Sequence, residues 1–124
     1  MKIGVSGHNF TKQEVIRSKV INTGKRPIAV CLVFTSMDTL PLPFAVQRDN
    51  NGRWGTLLNA IDLGPNGSVL VLEAGEAQEF TFHLNDSGKM RLMLEYWQGA
   101  EPHLSCHSLP KGSKVVNSQV FTIE

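Results

Sequence analysis

The sequence predicts an all-β fold: an antiparallel sandwich of about seven to nine strands, with little or no helix, filling residues 1–124 as a single domain. Three observations carry this expectation. Apolar residues recur at period two or in short continuous runs, turn residues interrupt them about every 8 to 12 positions, and no amphipathic pattern long enough for a helix of more than a turn or two is present. A chain of 124 residues is close to the commonest domain size and leaves no room for a second full core.

The elements can be justified in order. Gln13 to Asn22 interleaves Val15, Ile16, Val20 and Ile21 with polar and basic residues and closes on Asn22-Thr-Gly24, so it reads as a strand ending in a tight turn. Pro27 to Phe34 (PIAVCLVF) is rich in β-branched residues and apolar on both faces, and the turn before it predicts a hairpin with the preceding strand. Leu42 to Arg48 follows, with Pro41 and Pro43 limiting it to a strand start or an edge. Asp49-Asn-Asn-Gly52 then turns the chain into Arg53 to Leu58, a second hairpin. After the loop Gly64-Pro-Asn-Gly67, strands Val69 to Leu72 and Ala77 to Leu84 are separated by Glu73-Ala-Gly-Glu76. Phe80, Phe82 and Leu84 share one face of the latter. The cleanest alternation is Lys89 to Trp97: Met90, Leu92, Leu94 and Tyr96 face the core, and Arg91, Met93, Glu95 and Trp97 face outward. Residues 98 to 113 (QGAEPHLSCHSLPKGS) have no periodicity and are too long for an ordinary connection. Lys114 to Ile123 reads as one closing strand.

Twelve Lys and Arg against eleven Asp and Glu give a formal charge of +1, which supplies no global field for nucleic acid or an acidic membrane surface. The balance is uneven along the chain. Residues 1 to 26 hold six bases and one acid, a local +5, whereas residues 38 to 101 hold nine acids and four bases, a local −5. Because the basic residues are interleaved with Val15, Ile16, Val20 and Ile21, they belong to a strand rather than a nucleic-acid-binding arm, and basic and acidic strands are expected to be neighbours in one sheet. The start, MKIGVSGHNFTKQEV, lacks a secretory apolar run, and no run approaches a membrane span. The expected location is therefore cytoplasmic, unless an export signal has been removed. On that basis Cys31, inside an apolar run, and Cys106, in a polar stretch of a different kind, are expected to be free thiols.

Few motifs carry chemistry. His103-x-x-Cys106-His107 concentrates soft ligands suited to zinc or copper, but offers three donors within five residues and no fourth nearby. As a Cys–His nucleophile the pair lacks an orienting third residue and an oxyanion hole. Ser108-x-x-Lys111 has the spacing of penicillin-binding enzymes, but Pro110 opposes the helical turn that would bring the two side chains together. Gly4-Val-Ser-Gly7 is not followed by the helix a nucleotide loop needs. Of the large aromatics, Tyr96 falls on the core face, Trp54 follows a hairpin turn and covers an edge, and Trp97 falls outward with Met93. Beside them lie the outward residues of a strand that is apolar on both faces, so this sheet has a second face hidden from water. A homodimer contact or a protein-binding face accounts for that, with coverage by the 98–113 loop as the alternative.

The order of these segments resembles that of bacterial immunoglobulin-like β-sandwich domains. The likeness spans about 110 residues. It runs from the strand ending in Asn22-Thr-Gly24 through Phe44-Ala-Val-Gln-Arg-Asp-Asn-Asn-Gly-Arg-Trp54, Leu72-Glu-Ala-Gly-Glu76, Phe80-Thr-Phe82 and Gly88-Lys-Met-Arg-Leu92 to the closing Val120-Phe-Thr-Ile123. The chain is also similar to small intracellular proteinase-inhibitor sandwiches. It departs from the antibody pattern, since Cys31 and Cys106 do not fall on the strands that carry that bridge, and the 98–113 loop has no counterpart in the inhibitors. The immunoglobulin-like resemblance implies that residues 13–22 pair with 77–84 and residues 27–35 with 89–97, setting Arg17 and Lys19 beside Glu79. The function expected is a non-enzymatic protein-binding module without cofactor or metal. Met93, Trp97, His103, Cys106 and His107 form its contact region, and its partner is a protein, including a second copy of the chain, rather than nucleic acid or membrane. The alternatives are a proteinase-inhibitor-like protein and, from another class, a metal- or thiol-dependent enzyme built on the His103/Cys106/His107 loop.

Overall fold

A computed structural model describes residues 1–32, 42–58, 68–98 and 112–124. They form eleven strands and no helix: β1 Lys2–Val5, β2 Asn9–Phe10, β3 Ile16–Ile21, β4 Ile28–Leu32, β5 Phe44–Asn50, β6 Arg53–Leu58, β7 Ser68–Leu72, β8 Ala77–Phe82, β9 Gly88–Gln98, β10 Lys114–Asn117 and β11 Phe121–Ile123. The fold class is as expected, an all-β sandwich, antiparallel except where β2 runs parallel to β11. One layer is the three-stranded sheet β1-β3-β8, and the other is built around β9. The eleven residues of β9 pair with β11 and β10 on one side and with β5 and β4 on the other, while β6 extends β5 and β7 extends β4. The alternating pattern of β9 is what allows this. Met90, Leu92 and Leu94 are fully buried on its inner face, and its outer face is left to Arg91, Met93, Glu95 and Trp97.

The two layers meet through edge-to-face aromatic pairs: Phe121 with Phe82, and Phe82 with Phe44, whose ring centroids lie 5.3 Å apart, while Phe10 packs edge-on against Phe121 within the larger sheet. Phe44 also meets Phe80. Since β8 belongs to one sheet and β5 and β11 to the other, the three pairs that Phe80 and Phe82 make, each worth about 0.5–1.5 kcal/mol beyond burial, fix how the sheets stack. The hairpin of β5 and β6 forms as expected. Asn51 and Gly52 both adopt positive φ, 56° and 89°, the combination a two-residue turn needs to match strand twist, and Asp49 accepts a hydrogen bond from the Gly52 N–H at 2.7 Å.

Three expectations are corrected. The Asn22 turn does not make a hairpin: β3 pairs with β1 and β8, and β4 pairs with β7 and β9 in the opposite layer, so the turn is a corner between sheets. The Glu73–Glu76 turn between β7 and β8, read only as separating two strands, is a second corner between the sheets. These two corners are joined through Asn22. Its Nδ2 donates to the carbonyls of Arg26 (2.8 Å) and Leu72 (2.9 Å), its Oδ1 accepts from the Gly24 N–H (3.0 Å), and its backbone exchanges hydrogen bonds with Gly75 and Glu76. Second, the closing segment is two strands. Ser118 breaks it by taking over the local pairing: its N–H donates to the Leu92 carbonyl, and its Oγ accepts from the Leu92 N–H and donates to the Gln119 carbonyl. The break turns Gln119 toward β1. Its Nε2 donates to the Val5 carbonyl at 2.7 Å and its Oε1 accepts from the Val5 N–H at 3.2 Å, which caps that edge as a neighbouring strand would. Third, Cys31 is not a free thiol but is disulfide-bonded. Disulfides depend on the spatial approach of two residues, to which similarity of their sequence surroundings is no guide. The only other cysteine in the sequence is Cys106.

Candidate functional site

The outer face of the β9 layer is where the sequence and the fold converge. Register places Val71, Ala29 and Trp97 in one row across β7, β4 and β9, with Val69 beside Cys31 in the next. Ala45 lies opposite Met93 across β5 and β9. All seven of these residues point away from the core, because their chain neighbours Leu72, Ile28, Val30, Phe44, Val46, Leu92 and Leu94 belong to it and Leu70 and Tyr96 pack against it. The result is an apolar surface on the side of the sheet that in a two-layer sandwich normally faces water. Cys31, Pro43, Ala45, Met93, Glu95 and Trp97 line a recess of about 180 Å³ on this face. Met93 and Trp97 are half-buried, and Ala29, between Val71 and Trp97 in its row, is fully buried. Val115, across from Glu95 on β10, carries the apolar surface to the sheet edge and is 54% exposed.

Polar groups frame the recess. Glu95 is exposed, and its Oε2 accepts a hydrogen bond from the Ser113 hydroxyl at 2.8 Å. Toward the other end of β9, Gln47 accepts from Arg91 Nε at 2.8 Å and turns its amide toward the Met93 sulfur, 3.4 Å away. The Arg91 guanidinium lies 4.4 Å over the Trp54 ring. This stack holds Arg91 flat against the sheet, so its charge bounds the apolar surface rather than projecting from it. Trp54 therefore has a second role that sequence reasoning missed. The signal for it is the placement of Trp54 and Arg91 on two strands that both flank β5, which becomes visible only once β5 is known to pair with both.

Of the five residues singled out from sequence, the fold brings Met93 and Trp97 to one recess. His103, Cys106 and His107 lie outside the described residues. Among the described residues no group of three His, Cys, Asp or Glu is placed to hold a metal ion, and no helix is long and apolar enough to cross a membrane. No family model, curated protein sequence or solved structure matches the chain significantly.

Proposed function

We propose that the chain is an immunoglobulin-like β-sandwich acting as a non-enzymatic protein-binding module, with the outer face of β4, β9 and β5 as its contact surface. The observation that supports this is the apolar recess lined by Cys31, Ala45, Met93 and Trp97, on a sheet face that no second layer of described residues covers. A half-buried tryptophan beside a methionine, ringed by Glu95, Gln47 and Arg91, has the make-up of an interface core with a polar rim. His103, Cys106 and His107 belong to the same contact region on sequence grounds. A disulfide at Cys31 also favours an oxidising compartment for the folded chain over the cytoplasm.

The test is an apolar fluorescent dye and the solution mass, each measured on the wild type and on Trp97→Asp. Dye bound by the folded wild type and lost in the variant supports the reading. A dimer that becomes monomeric in the variant identifies the partner as a second copy. An unchanged mass with no dye bound by either protein overturns it.

A further inference from the structure

The opposite side of the sandwich carries a second surface of different chemistry. On the outer face of β1-β3-β8 the register builds three successive rows: Lys2, Ile21 and Ala77; Gly4, Lys19 and Glu79; Ser6, Arg17 and Thr81. Lys2, Lys19 and Arg17 thus occupy consecutive rows, a ladder of positive charges stepped by about 6.5–7 Å along the strand direction. Glu79 is the single acid in the rows and stands on the β8 side. On the β1 side the middle row holds Gly4, whose missing side chain leaves a notch between Lys2, Ser6 and Lys19. This notch opens into a groove of about 560 Å³ that runs over β1 and β3 and is lined by Lys2, Arg17, Lys19, Glu79 and Gln119 around it.

A glycine inside a strand sacrifices packing and ordering entropy, and here the backbone does not require it. Gly4 has no positive φ, and a Cβ built on it would meet only the Gln119 side chain, at an ordinary 3.7 Å. Open space above a strand interior, beside a row of cations, is what a close-lying second chain needs. An extended peptide places alternate side chains on one face at the same spacing of about 6.5–7 Å as the Lys2, Lys19, Arg17 ladder.

We propose that this groove docks an extended acidic peptide segment of a partner protein, laid over Gly4 with alternate carboxylates on Lys2, Lys19 and Arg17. The charge complementarity selects an acidic ligand. The absence of any aromatic side chain from the three rows disfavours single-stranded nucleic acid, which needs stacking platforms. The site is independent of the apolar face on the other sheet, so either can fail without the other.

The experiment is fluorescence polarisation of labelled nonapeptides with blocked ends, one alternating Glu and Thr and one alternating Lys and Thr, beside an oligothymidylate. The full chain is compared with Lys19→Gln, Arg17→Gln and Gly4→Val, each checked for folding by its β-sheet circular dichroism. The proposal expects binding of the acidic peptide alone, weakened about tenfold by each variant and falling as salt rises. Gly4→Val keeps every charge and suits a strand, so a loss there reports the notch. No binding of the acidic peptide, equal binding of the basic one, undiminished binding by Gly4→Val, or binding of the oligothymidylate in its place would each overturn the proposal.

Discussion

Replacing Asn22 by alanine tests whether the two sheets are tied at their corners as described. The side chain is 1% exposed and makes three hydrogen bonds to backbone groups of the β3–β4 turn and the end of β7. The Leu72 carbonyl is in a buried environment, and losing its donor costs about 1–3 kcal/mol. The Arg26 carbonyl and the Gly24 N–H are partly buried and reach water after truncation, so each loses the net value of a hydrogen bond, about 0.5–1.5 kcal/mol. Together Asn22→Ala should destabilise by about 2–6 kcal/mol, a large share of the stability of a domain this size. Urea unfolding followed by tryptophan fluorescence reads the midpoint and slope. The expected result is a lower midpoint with an unchanged slope. Thr23→Ala is the control: Thr23 accepts only from the exposed N-terminal ammonium, and its loss should stay within about 0.5 kcal/mol. A loss below about 1 kcal/mol for Asn22→Ala would refute the corner as a structural tie.

Three further outcomes follow from single contacts. Gln119→Ala removes both hydrogen bonds that cap Val5, so native-state hydrogen exchange at the Val5 amide should accelerate and stability should fall by about 1–2 kcal/mol; an unchanged exchange rate would mean that edge is protected otherwise. Arg91→Ala removes the cation over Trp54 and the donor to Gln47, and should cost about 1–2 kcal/mol and alter the Trp54 emission; emission identical to the wild type would count against the stack. Alkylation of the unfolded chain should find no reactive Cys31 thiol until a reductant is added, and reduction should cost about 2–4 kcal/mol; Cys31 modified without reductant would refute the bond.

Elements whose pattern is local were legible in the sequence. The alternation of Met90, Leu92 and Leu94 placed the central strand and its inner face, and it equally placed Met93 and Trp97 outward. The Asn51-Gly52 turn announced its hairpin because both residues tolerate positive φ. The charge asymmetry also translated into position, since Lys19 faces Glu79 across β3 and β8. Other features were not legible. The Asn22 turn looks like a hairpin turn, and only the pairing of β3 and β4 in opposite layers reveals it as a corner. The two-residue strand β2 carries no period of its own and exists because β11 lies beside it.

The succession of strands from β3 to β9 and the inner or outer sense of the face of β9 thus follow from sequence alone, because side-chain alternation at period two is a property of neighbours along the chain. Pairing across layers, the oxidation of Cys31, the Arg91 stack on Trp54, and the notch at Gly4 beside Lys19 were decided by tertiary structure. Each depends on the distance between residues remote in sequence, which is set only when the two sheets close over the shared phenylalanine core.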